Sequence, residues 1–305
     1  MKKTILSLIA VLTLSVSAFA EGSTMFNGST NVQIFYDFAT DRQCVTTTLE
    51  GFYNDPWGNT FFFIDHDFSP IGSKNNTSCN PNSTPVLSLP WKAISGTYWE
   101  IARCLNFWQN SPIKDLSLQV EYNGGVYSTY GINHAFLAGF DYFLHSSDYK
   151  NTFNFKLLYK HILYDKTGVD LMNFAPLPWK WDANGVPVWE DNHQTVVPLQ
   201  FTFVWGMQDL FGVPGLRFSG FLDVWGQEHY VYKTEWKKDG TVDVDVANPK
   251  LSHVVMITEP QIWYSVGQHF GCPNLNVGTE IEMSVDFGTA QGFWCRPCLG
   301  VKWVF

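Results

Sequence analysis

The sequence lacks a long apolar run beyond its first 20 residues, and it is poor in charge. Asp, Glu, Lys and Arg make up only 15% of its 305 residues. No later stretch approaches the roughly 18 uninterrupted apolar residues that a membrane-spanning helix needs. Basic residues are scarcer than acidic ones, 19 against 28. Because nucleic-acid binding requires patches of Lys and Arg, this balance argues against nucleic acid as a partner.

The one strongly apolar segment has the features of a secretory signal peptide. Lys2 and Lys3 precede the apolar run 5–16, and Ala18-Phe19-Ala20 has the small-x-small pattern of a cleavage site. We therefore expect residues 1–20 to be removed during export. Residues 21–305 would then form a single exported domain.

Aromatic residues are abundant, with 25 Phe, 13 Trp and 13 Tyr in the chain. A soluble protein has too little interior to hide so many rings. Lipid-facing positions and the aromatic girdles of a membrane barrel would accommodate them.

The last two strand-like stretches show most clearly where apolar residues point. In 275–287 they alternate with Asn, Glu, Ser and Asp, and in 299–305 every second residue is apolar up to Phe305. A terminal strand of this kind needs a partner at its edge, which pairing with the first strand of a lipid-embedded barrel would provide. A soluble antiparallel sandwich with one hydrated face is the alternative.

About twelve stretches have the length and alternation of tilted barrel strands, roughly ten residues each. They are 31–38, 44–53, 57–68, 97–108, 116–123, 133–144, 152–162, 197–205, 216–225, 254–266, 275–287 and 293–305. Short turns follow the even-numbered strands, and long segments follow the third, seventh and ninth. This alternation is typical of outer-membrane barrels, with periplasmic turns at one end and external loops at the other. The sequence thus predicts an all-β, transmembrane, antiparallel up-and-down β-barrel of about twelve strands.

If the apolar residues face lipid, the residues of opposite parity line the lumen. The charged residues expected there are Glu50, Asp65, Glu100, Glu121, Lys156, Lys160, Arg217, Asp223, Glu280, Glu282 and Asp286. Arg103 falls on the lipid-facing parity, where a charge at mid-bilayer costs about 2–4 kcal/mol. We therefore predict a β-bulge around Ala102 that turns Arg103 inward. These charges either contact solute or only pair with one another across a narrow lumen.

Three aromatic residues share the inward parity: Phe52, Phe61 and Phe63. Rings in a polar lumen can stack on flat heterocycles, which in nucleic-acid complexes is worth about 1–3 kcal/mol per base. The alternative is that they fill a barrel too narrow to be open.

Six cysteines and eight histidines carry no clear chemical signature. An exported chain can keep disulfides, but the pairing of Cys44, Cys79, Cys104, Cys272, Cys295 and Cys298 stays open. Cys295-Arg-Pro-Cys298 lies in a strand rather than at a helix start, so we do not expect a redox role. The histidines are scattered, and no second Cys pair completes a metal site. We expect neither a metal nor a cofactor.

Several of these residues lie in short sequence motifs that resemble those of a known family. Glu50-x-Phe52-x4-Trp57-x3-Phe61-x-Phe63-x-Asp65 resembles the second and third strands of the nucleoside-specific channel-forming (Tsx-like) family of outer-membrane proteins. Glu100-Ile101-Ala102-Arg103 is similar to a Glu-Ile…Arg strand of that family, though one residue shorter. Gly139-x-Asp141 and Gly300…Phe305 also fit, which adds Asp141 to the candidate lumen residues. The resemblance implies a twelve-stranded monomeric barrel with a narrow substrate channel.

The leading hypothesis is therefore a non-enzymatic outer-membrane channel for passive uptake of small hydrophilic solutes, with nucleosides as the named candidate. Its partners would be outer-membrane lipid and the solute. The main alternative is a structural or receptor barrel with a plugged lumen, because twelve strands lie between filled and open barrels. A lipid-modifying enzyme is a further alternative, but His134, His145 and His161 lack convincing Ser neighbours.

Overall fold

A computed structural model describes residues 27–68, 94–127, 131–164, 167–170, 175–178, 180–181, 187–188, 198–236, 242–245, 247–288 and 290–305. The predicted signal peptide and most of the long segments that follow the third and seventh predicted strands lie outside these residues. The barrel strands are β1 Asn27–Asp37, β2 Val45–Asp55, β3 Gly58–Phe68, β4 Ile94–Leu105, β5 Leu116–Tyr127, β6 Gly131–His145, β7 Asn151–Tyr164, β8 Leu199–Gln208, β9 Leu216–Val231, β10 Lys250–Thr258 continued by Gln261–Tyr264, β11 Leu275–Val285 and β12 Phe293–Val304.

These strands form one closed antiparallel sheet in which each strand pairs with its neighbours in the chain. The first and last strands complete the ring, with Asn31 opposite Val304 and Asp37 opposite Cys298. The backbone N–H of Phe305 donates to the Thr30 carbonyl at 2.9 Å. Closure leaves no unpaired sheet edge, which is the condition for β-structure in lipid.

Large apolar side chains lie exposed on the outer face of the barrel. They include Ile34, Ile64, Ile101, Val120, Phe136, Phe140, Leu157, Phe201, Ile262, Leu299 and Val301. Their positions follow the period-2 alternation of each strand, because successive side chains point to opposite faces. Hydrocarbon can cover such a surface, whereas water cannot do so without a large cost. The predicted transmembrane up-and-down β-barrel of about twelve strands is confirmed.

The connections divide the barrel into two rims. One, here called the turn rim, carries both barrel ends of the chain, near Asn27 and Phe305, and the connections that follow the even-numbered strands. The opposite loop rim carries the connections that follow the odd-numbered strands. Short 3₁₀ helices, Leu210–Gly212 and Val266–Phe270, lie in the turn rim. Among the described residues, no helix has the length and apolarity needed to cross a membrane.

Two turns of the turn rim are tied together by an exposed ion pair. Lys150 Nζ lies 2.6 Å from Asp209 Oδ2. Asp209 has a left-handed backbone, with φ of +51°, and its Oδ1 accepts the Gly215 N–H at 2.9 Å. The hydrogen bond from Lys150 lowers the pKa of the Asp209 carboxyl, and the same bond raises the pKa of Lys150.

Strand β10 is interrupted at Pro260 but keeps its register. Thr258 lies opposite Leu222 and Gln261 lies opposite Ser219 on β9, so the spacing on both strands is equal. Proline removes a backbone donor without changing which way the neighbouring side chains point. Glu259 and Gln261 therefore both face inward.

The connection between β9 and β10 extends these strands beyond the barrel wall. Thr234–Trp236 pairs with Val242–Val244, Thr234 lying opposite Val244. These two short strands form their own antiparallel ladder within the connection.

Candidate functional site: the lumen wall

Directly paired residues of antiparallel strands point to the same side, so the register shows which residues share the lumen. Glu50, Phe63, Glu100 and Asn123 lie opposite one another across β2 to β5. A second row, nearer the turn rim, lies on the same face; it consists of Phe52, Phe61, Ala102, Glu121, Leu137 and Lys160. Neutral and charged side chains are thus interleaved around the inner wall.

The wall from β4 to β9 holds its carboxylates with neutral hydrogen-bond donors. Glu100 accepts from the Tyr98 hydroxyl at 2.5 Å and from Asn123 Nδ2 at 3.2 Å. Glu121 accepts from Asn123 Nδ2 and Gln119 Nε2, each at 2.8 Å. These side-chain ladders satisfy partly buried carboxylates without a direct ion pair.

The same arrangement continues across β6 to β9. Asn154 Nδ2 donates to both oxygens of Asp141, at 3.0 and 2.9 Å. Asp223 accepts from the Thr202 hydroxyl. Asp141 and Asp223 flank Lys156, which lies opposite Asp141 on β6 and opposite Thr202 on β8.

Lys160 of this wall is held by neutral groups as well. Lys160 Nζ donates to Gln200 Oε1 at 2.7 Å and lies 3.7 Å from the centre of the Trp225 ring. In the described part of the chain, no carboxylate lies within 4 Å of Lys156 or Lys160. The cross-lumen pairing that the sequence suggested is therefore not direct for these two lysines.

On the opposite wall, arginine ion pairs fix the loop between β1 and β2. Arg42 of that loop pairs with Glu282 of β11 and lies 3.5 Å from Asp37. Arg296 of β12 pairs with Glu282 at 2.5 Å and with Asp41 of the loop at 2.8 Å. We call these five residues the arginine latch. They draw the loop against the inside of the barrel at the loop rim.

Three carboxylates on the same wall lie nearer the turn rim than the arginine latch and are not paired with an arginine in the described residues. Asp65 accepts from the Thr48 hydroxyl and Glu280 from Gln261 Nε2, each at 2.5 Å. Glu259 faces inward on β10, two residues before Gln261. Within the described ranges, no Lys or Arg nitrogen lies within 4 Å of Asp65, Glu259 or Glu280. We call these three residues the acidic segment.

The predicted inward aromatic residues lie together beside the acidic segment. The ring centres of Phe61 and Phe63 are 5.9 Å apart, and those of Phe63 and Tyr98 are 5.7 Å apart. Phe52 lies opposite Phe61 towards the turn rim, and its side chain is 41% exposed. These rings form an aromatic row on β2 to β4.

The predicted β-bulge at Ala102 is wrong. The register runs without a shift through Arg103, which lies opposite Thr60 on β3 and Val120 on β5. Arg103 therefore keeps the outward parity. Its guanidinium reaches the turn rim, where Nη1 lies 2.7 Å from Asp55 Oδ2 and Nη2 lies 2.8 Å from Oδ1. A long side chain near a strand end reaches its partner at the rim, so no bulge is needed.

Two further predicted residues lie at the rims. Asp286 follows the last residue of β11; its Oδ1 accepts the Gly292 N–H at 2.6 Å, and its Oδ2 accepts the Ser252 hydroxyl at 2.7 Å. It therefore shapes the turn between β11 and β12. Arg217 is exposed at the turn rim, opposite Gln208 and Trp263.

The sequence reasoning missed several inward residues: Asp37, Arg42, Glu259, Arg296 and Lys302. Asp37, Arg296 and Lys302 are at inward positions of their strands. Glu259 is at an inward position because the register of β10 continues through Pro260. The alternation alone could have placed these four. Arg42 lies in a loop, where no periodicity indicates direction.

The cysteines and histidines form no catalytic arrangement in the described residues. Cys295 is exposed on the outer face and Cys298 is buried on the inner face, because an odd separation along a strand puts two residues on opposite faces. Cys44 is disulfide-bonded, and Cys104, Cys272, Cys295 and Cys298 are free. Within the same residues, no group of His, Cys, Asp and Glu has the geometry of a metal site.

Of the three histidines considered for an enzyme, His134 and His161 lie on the outer face, and His145 is the last residue of β6, at the turn rim. His134 Nδ1 is 2.6 Å from the Tyr122 hydroxyl, and His145 Nδ1 is 2.8 Å from the backbone carbonyl of Ser146. His161 is exposed on the outward parity of β7. Among the described hydrogen bonds, none joins these imidazoles to a serine hydroxyl.

A closed barrel with an apolar outer face and a charged inner wall defines the chain as a transmembrane β-barrel protein. It belongs to the family described as "Domain of unknown function (DUF5020)", which matches residues 87–305. No curated protein matches the chain.

Solved structures with a similar course of the chain include porins. The NanC porin is 9% identical, with 90% of this chain and 98% of that chain covered and a TM-score of 0.45. The KdgM porin is 7% identical, with 91% and 99% covered and a TM-score of 0.40. OprD of Pseudomonas aeruginosa is 11% identical, with 94% and 97% covered and a TM-score of 0.32. Likenesses this distant carry no argument about function, and the Tsx-like resemblance stays a prediction.

Proposed function

We propose that this protein is a monomeric outer-membrane channel through which small hydrophilic solutes diffuse passively. The observation that supports this function is the inner wall, where carboxylates, lysines and arginines alternate with amides around the barrel. Burying so many charged groups costs free energy, and a barrel with a purely mechanical role could use apolar residues instead. Outer-membrane barrels have their short turns on the periplasmic side, so the turn rim would face the periplasm and the loop rim the cell exterior.

Nucleosides are the specific solute that we propose. The aromatic row offers ring faces for a base, and Glu50 lies beside Phe63 where its carboxylate could accept hydrogen bonds from ribose hydroxyls. Stacking of a base on a ring is worth about 1–3 kcal/mol in nucleic-acid complexes, which suffices for a preference without slowing release.

Solute flux into liposomes tests both levels of this proposal. We expect liposomes carrying the folded chain to swell in small sugars faster than empty liposomes. Adenosine should enter faster than a sugar of equal size, and Phe61→Ala together with Phe63→Ala should remove that difference. Equal rates for adenosine and the sugar in the unaltered protein would contradict the nucleoside version, while leaving the channel intact.

A structural or receptor barrel with a filled lumen is the second candidate, and a specific observation favours it. Inward side chains at mid-height are almost fully buried, with Gln33 and Gln119 each 1% exposed and Leu158 0% exposed. Such burial is expected where side chains from opposite walls fill a narrow barrel. A flat current in planar bilayers at all voltages would favour this function over a channel.

A further inference from the structure

We propose that a cavity at the loop rim, where β11 separates from β10, binds the phosphate headgroup of a membrane lipid. The inference goes beyond the proposed channel function and does not depend on it. It is argued from the origin and lining of the cavity, from a backbone donor that faces it, and from a lysine beside that donor.

The cavity arises because two neighbouring strands part before they end. Met256 opposite Val285 is the last pair of the ladder between β10 and β11 among the described residues. Asp286, directly after β11, has a left-handed backbone with φ of +51°, and the chain leaves β10 there. Strand β10 continues beside β9 as far as Lys250. The gap between them has a volume of about 340 Å³, and we call it the rim cavity.

The apolar side of the rim cavity is formed by Val254, Met256 and Val285. Met256 and Val285 lie directly opposite each other on the outer face, and Val254 is 53% exposed there. This side is therefore continuous with the apolar surface that the barrel presents to lipid. Lipid chains that cover the outer face reach the cavity without crossing water.

The edge of β10 directs a backbone donor towards the cavity. Alternate residues of a strand send their N–H groups to opposite neighbours. The Glu259 N–H donates to Phe221 of β9 at 3.1 Å, and the Pro260 carbonyl accepts from Ile281 of β11 at 3.1 Å, so the even-numbered residues here face β11. Val254 is two residues beyond the last pair, and its N–H faces the space that β11 has left.

This donor indicates how deep the cavity lies in the membrane. Among the described residues, the Val254 N–H has no backbone partner. An unpaired N–H is too costly in hydrocarbon, so the cavity must lie in the headgroup layer beside the loop rim. Phosphate oxygens are the strongest acceptors in that layer.

Lys250 adds a positive charge to the same cavity. Its side chain is 56% exposed, and its Nζ lies 3.7 Å from Asp286 Oδ2, which is longer than a hydrogen bond. The two oxygens of Asp286 already accept the Gly292 N–H at 2.6 Å and the Ser252 hydroxyl at 2.7 Å, and its side chain is only 8% exposed. The ammonium therefore keeps its three donors for a ligand.

A lipid phosphate uses both parts of the rim cavity. Its oxygens accept from Lys250 Nζ and from the Val254 N–H, while its chains contact Met256 and Val285. A soluble anion would use only the donors, and an uncharged lipid would use only the apolar side. The charge and the apolar surface together favour an anionic lipid.

Native mass spectrometry of the full-length folded barrel in detergent counts bound lipids, whether or not the barrel conducts. The probe is dihexanoyl phosphatidic acid. Dihexanoyl glycerol lacks its phosphate, and inorganic phosphate lacks its chains. We expect one phosphatidic acid to bind saturably, and each of the other two molecules to bind at least about tenfold more weakly, because each makes only part of the contact.

Two variants each remove one donor. Lys250→Gln removes the charge, and Val254→Pro removes the N–H on the side that β9 does not use, where proline is tolerated. Each should weaken the binding of phosphatidic acid by about tenfold, because a hydrogen bond to a charged group is lost.

Matched controls separate these donors from general effects. Lys233→Gln removes an exposed lysine that pairs with Glu235 outside the cavity, and it should leave the affinity unchanged. Val254→Ala keeps the N–H and should bind the lipid more tightly than Val254→Pro. If Val254→Pro fails to fold, as judged by the shift in gel mobility on heating, the two lysine variants decide the question.

Three results would overturn the inference. The first is equal binding of phosphatidic acid and dihexanoyl glycerol, or equal losses for Lys250→Gln and Lys233→Gln. The second is inorganic phosphate that binds as tightly as the lipid, which would show a site for a soluble anion. The third is a dimer of barrels in place of lipid adducts, which would show that a second copy covers this edge.

Discussion

The two walls of the barrel differ in how their charges are balanced. The wall from β4 to β9 carries four carboxylates and three cations: Glu100, Glu121, Asp141 and Asp223, with Lys156, Lys160 and Arg217. The wall from β10 to β3, with its loop, carries eight carboxylates and three cations: Asp37, Asp41, Glu50, Asp65, Asp67, Glu259, Glu280 and Glu282, with Arg42, Arg296 and Lys302. The acidity of the lumen is therefore concentrated on one side.

The difference extends to the kind of contact. On the first wall, amides and hydroxyls on neighbouring strands satisfy the carboxylates, and each contact stays within the sheet. On the second wall, arginine ion pairs join a loop to strands more than 200 residues away in the sequence. Substituting an amide on the first wall should thus cost only its hydrogen bonds. Substituting a residue of the arginine latch should release the loop between β1 and β2.

The largest effect is expected from Glu282→Gln in the arginine latch. This change leaves the buried Arg296 and the partly exposed Arg42 without their shared carboxylate, and breaking a buried ion pair typically costs about 3–5 kcal/mol. The free energy of unfolding in urea, followed by tryptophan fluorescence in lipid vesicles, should fall by about that amount.

If the latch narrows the loop rim, the same Glu282→Gln barrel should also show a higher single-channel conductance. An unchanged unfolding midpoint would contradict the idea that these ion pairs hold the loop. Asp41→Asn, which breaks only the Arg296 contact at the loop, is the matched comparison and should have a smaller effect.

A smaller effect is expected on the other wall from Asn154→Ala. Asn154 gives both of its donors to Asp141, and an unsatisfied buried acceptor costs about 1–3 kcal/mol. The free energy of unfolding should fall within that range, with no change in conductance because no loop is released. Asn110→Ala, at an exposed turn position, is the control. A conductance change as large as that of the latch variant would remove the distinction between the walls.

The contrast between the walls also explains how much could be read from the sequence. Strand alternation placed Glu50, Glu121 and Lys160 on the inner face because the period of two is strictly local. The same rule would have placed Glu259 and Lys302 on the inner face, since both lie within the predicted strands 254–266 and 293–305. The number of strands and the closure of the barrel followed from the same local pattern.

Contacts between distant parts of the chain could not be read in this way. Arg42 is held inward by Glu282, which is 240 residues away in the sequence, and by Asp37 across the loop, and a loop residue has no periodicity that would indicate this. Arg103 was predicted inward because a mid-bilayer charge is costly, but its distance from the rim depends on strand tilt. Loop position and depth in the membrane are set by the assembled barrel.

Arg103 gives the next prediction. Its ion pair with Asp55 is only partly buried, with side-chain exposures of 23% and 17%. Pairs of this kind contribute about 0.2–1 kcal/mol, so Arg103→Leu should lower the free energy of unfolding by no more than that. If Arg103 faced the lumen, the substitution would instead change ion selectivity. A reversal potential in a salt gradient equal to that of the unaltered barrel would agree with the outward position.

The smallest effect is expected at the turn rim, from Asp209→Asn. Lys150 lowers the pKa of the Asp209 carboxyl through a hydrogen bond, so the pair stabilises the folded state above the usual pKa of Asp. This contribution is lost as the pH falls through the lowered pKa. Both groups are exposed to solvent, which screens the interaction.

The unfolding midpoints of the Asp209→Asn variant and the unaltered barrel should therefore differ slightly at neutral pH and converge in acid. The comparison isolates one carboxyl because every other acidic group titrates in both proteins. A difference that grew in acid would mean that Asp209 is destabilised by its surroundings, contrary to the position of Lys150. The contribution of an exposed ion pair at the rim to the free energy of unfolding could then be as large as that of a buried pair in the latch.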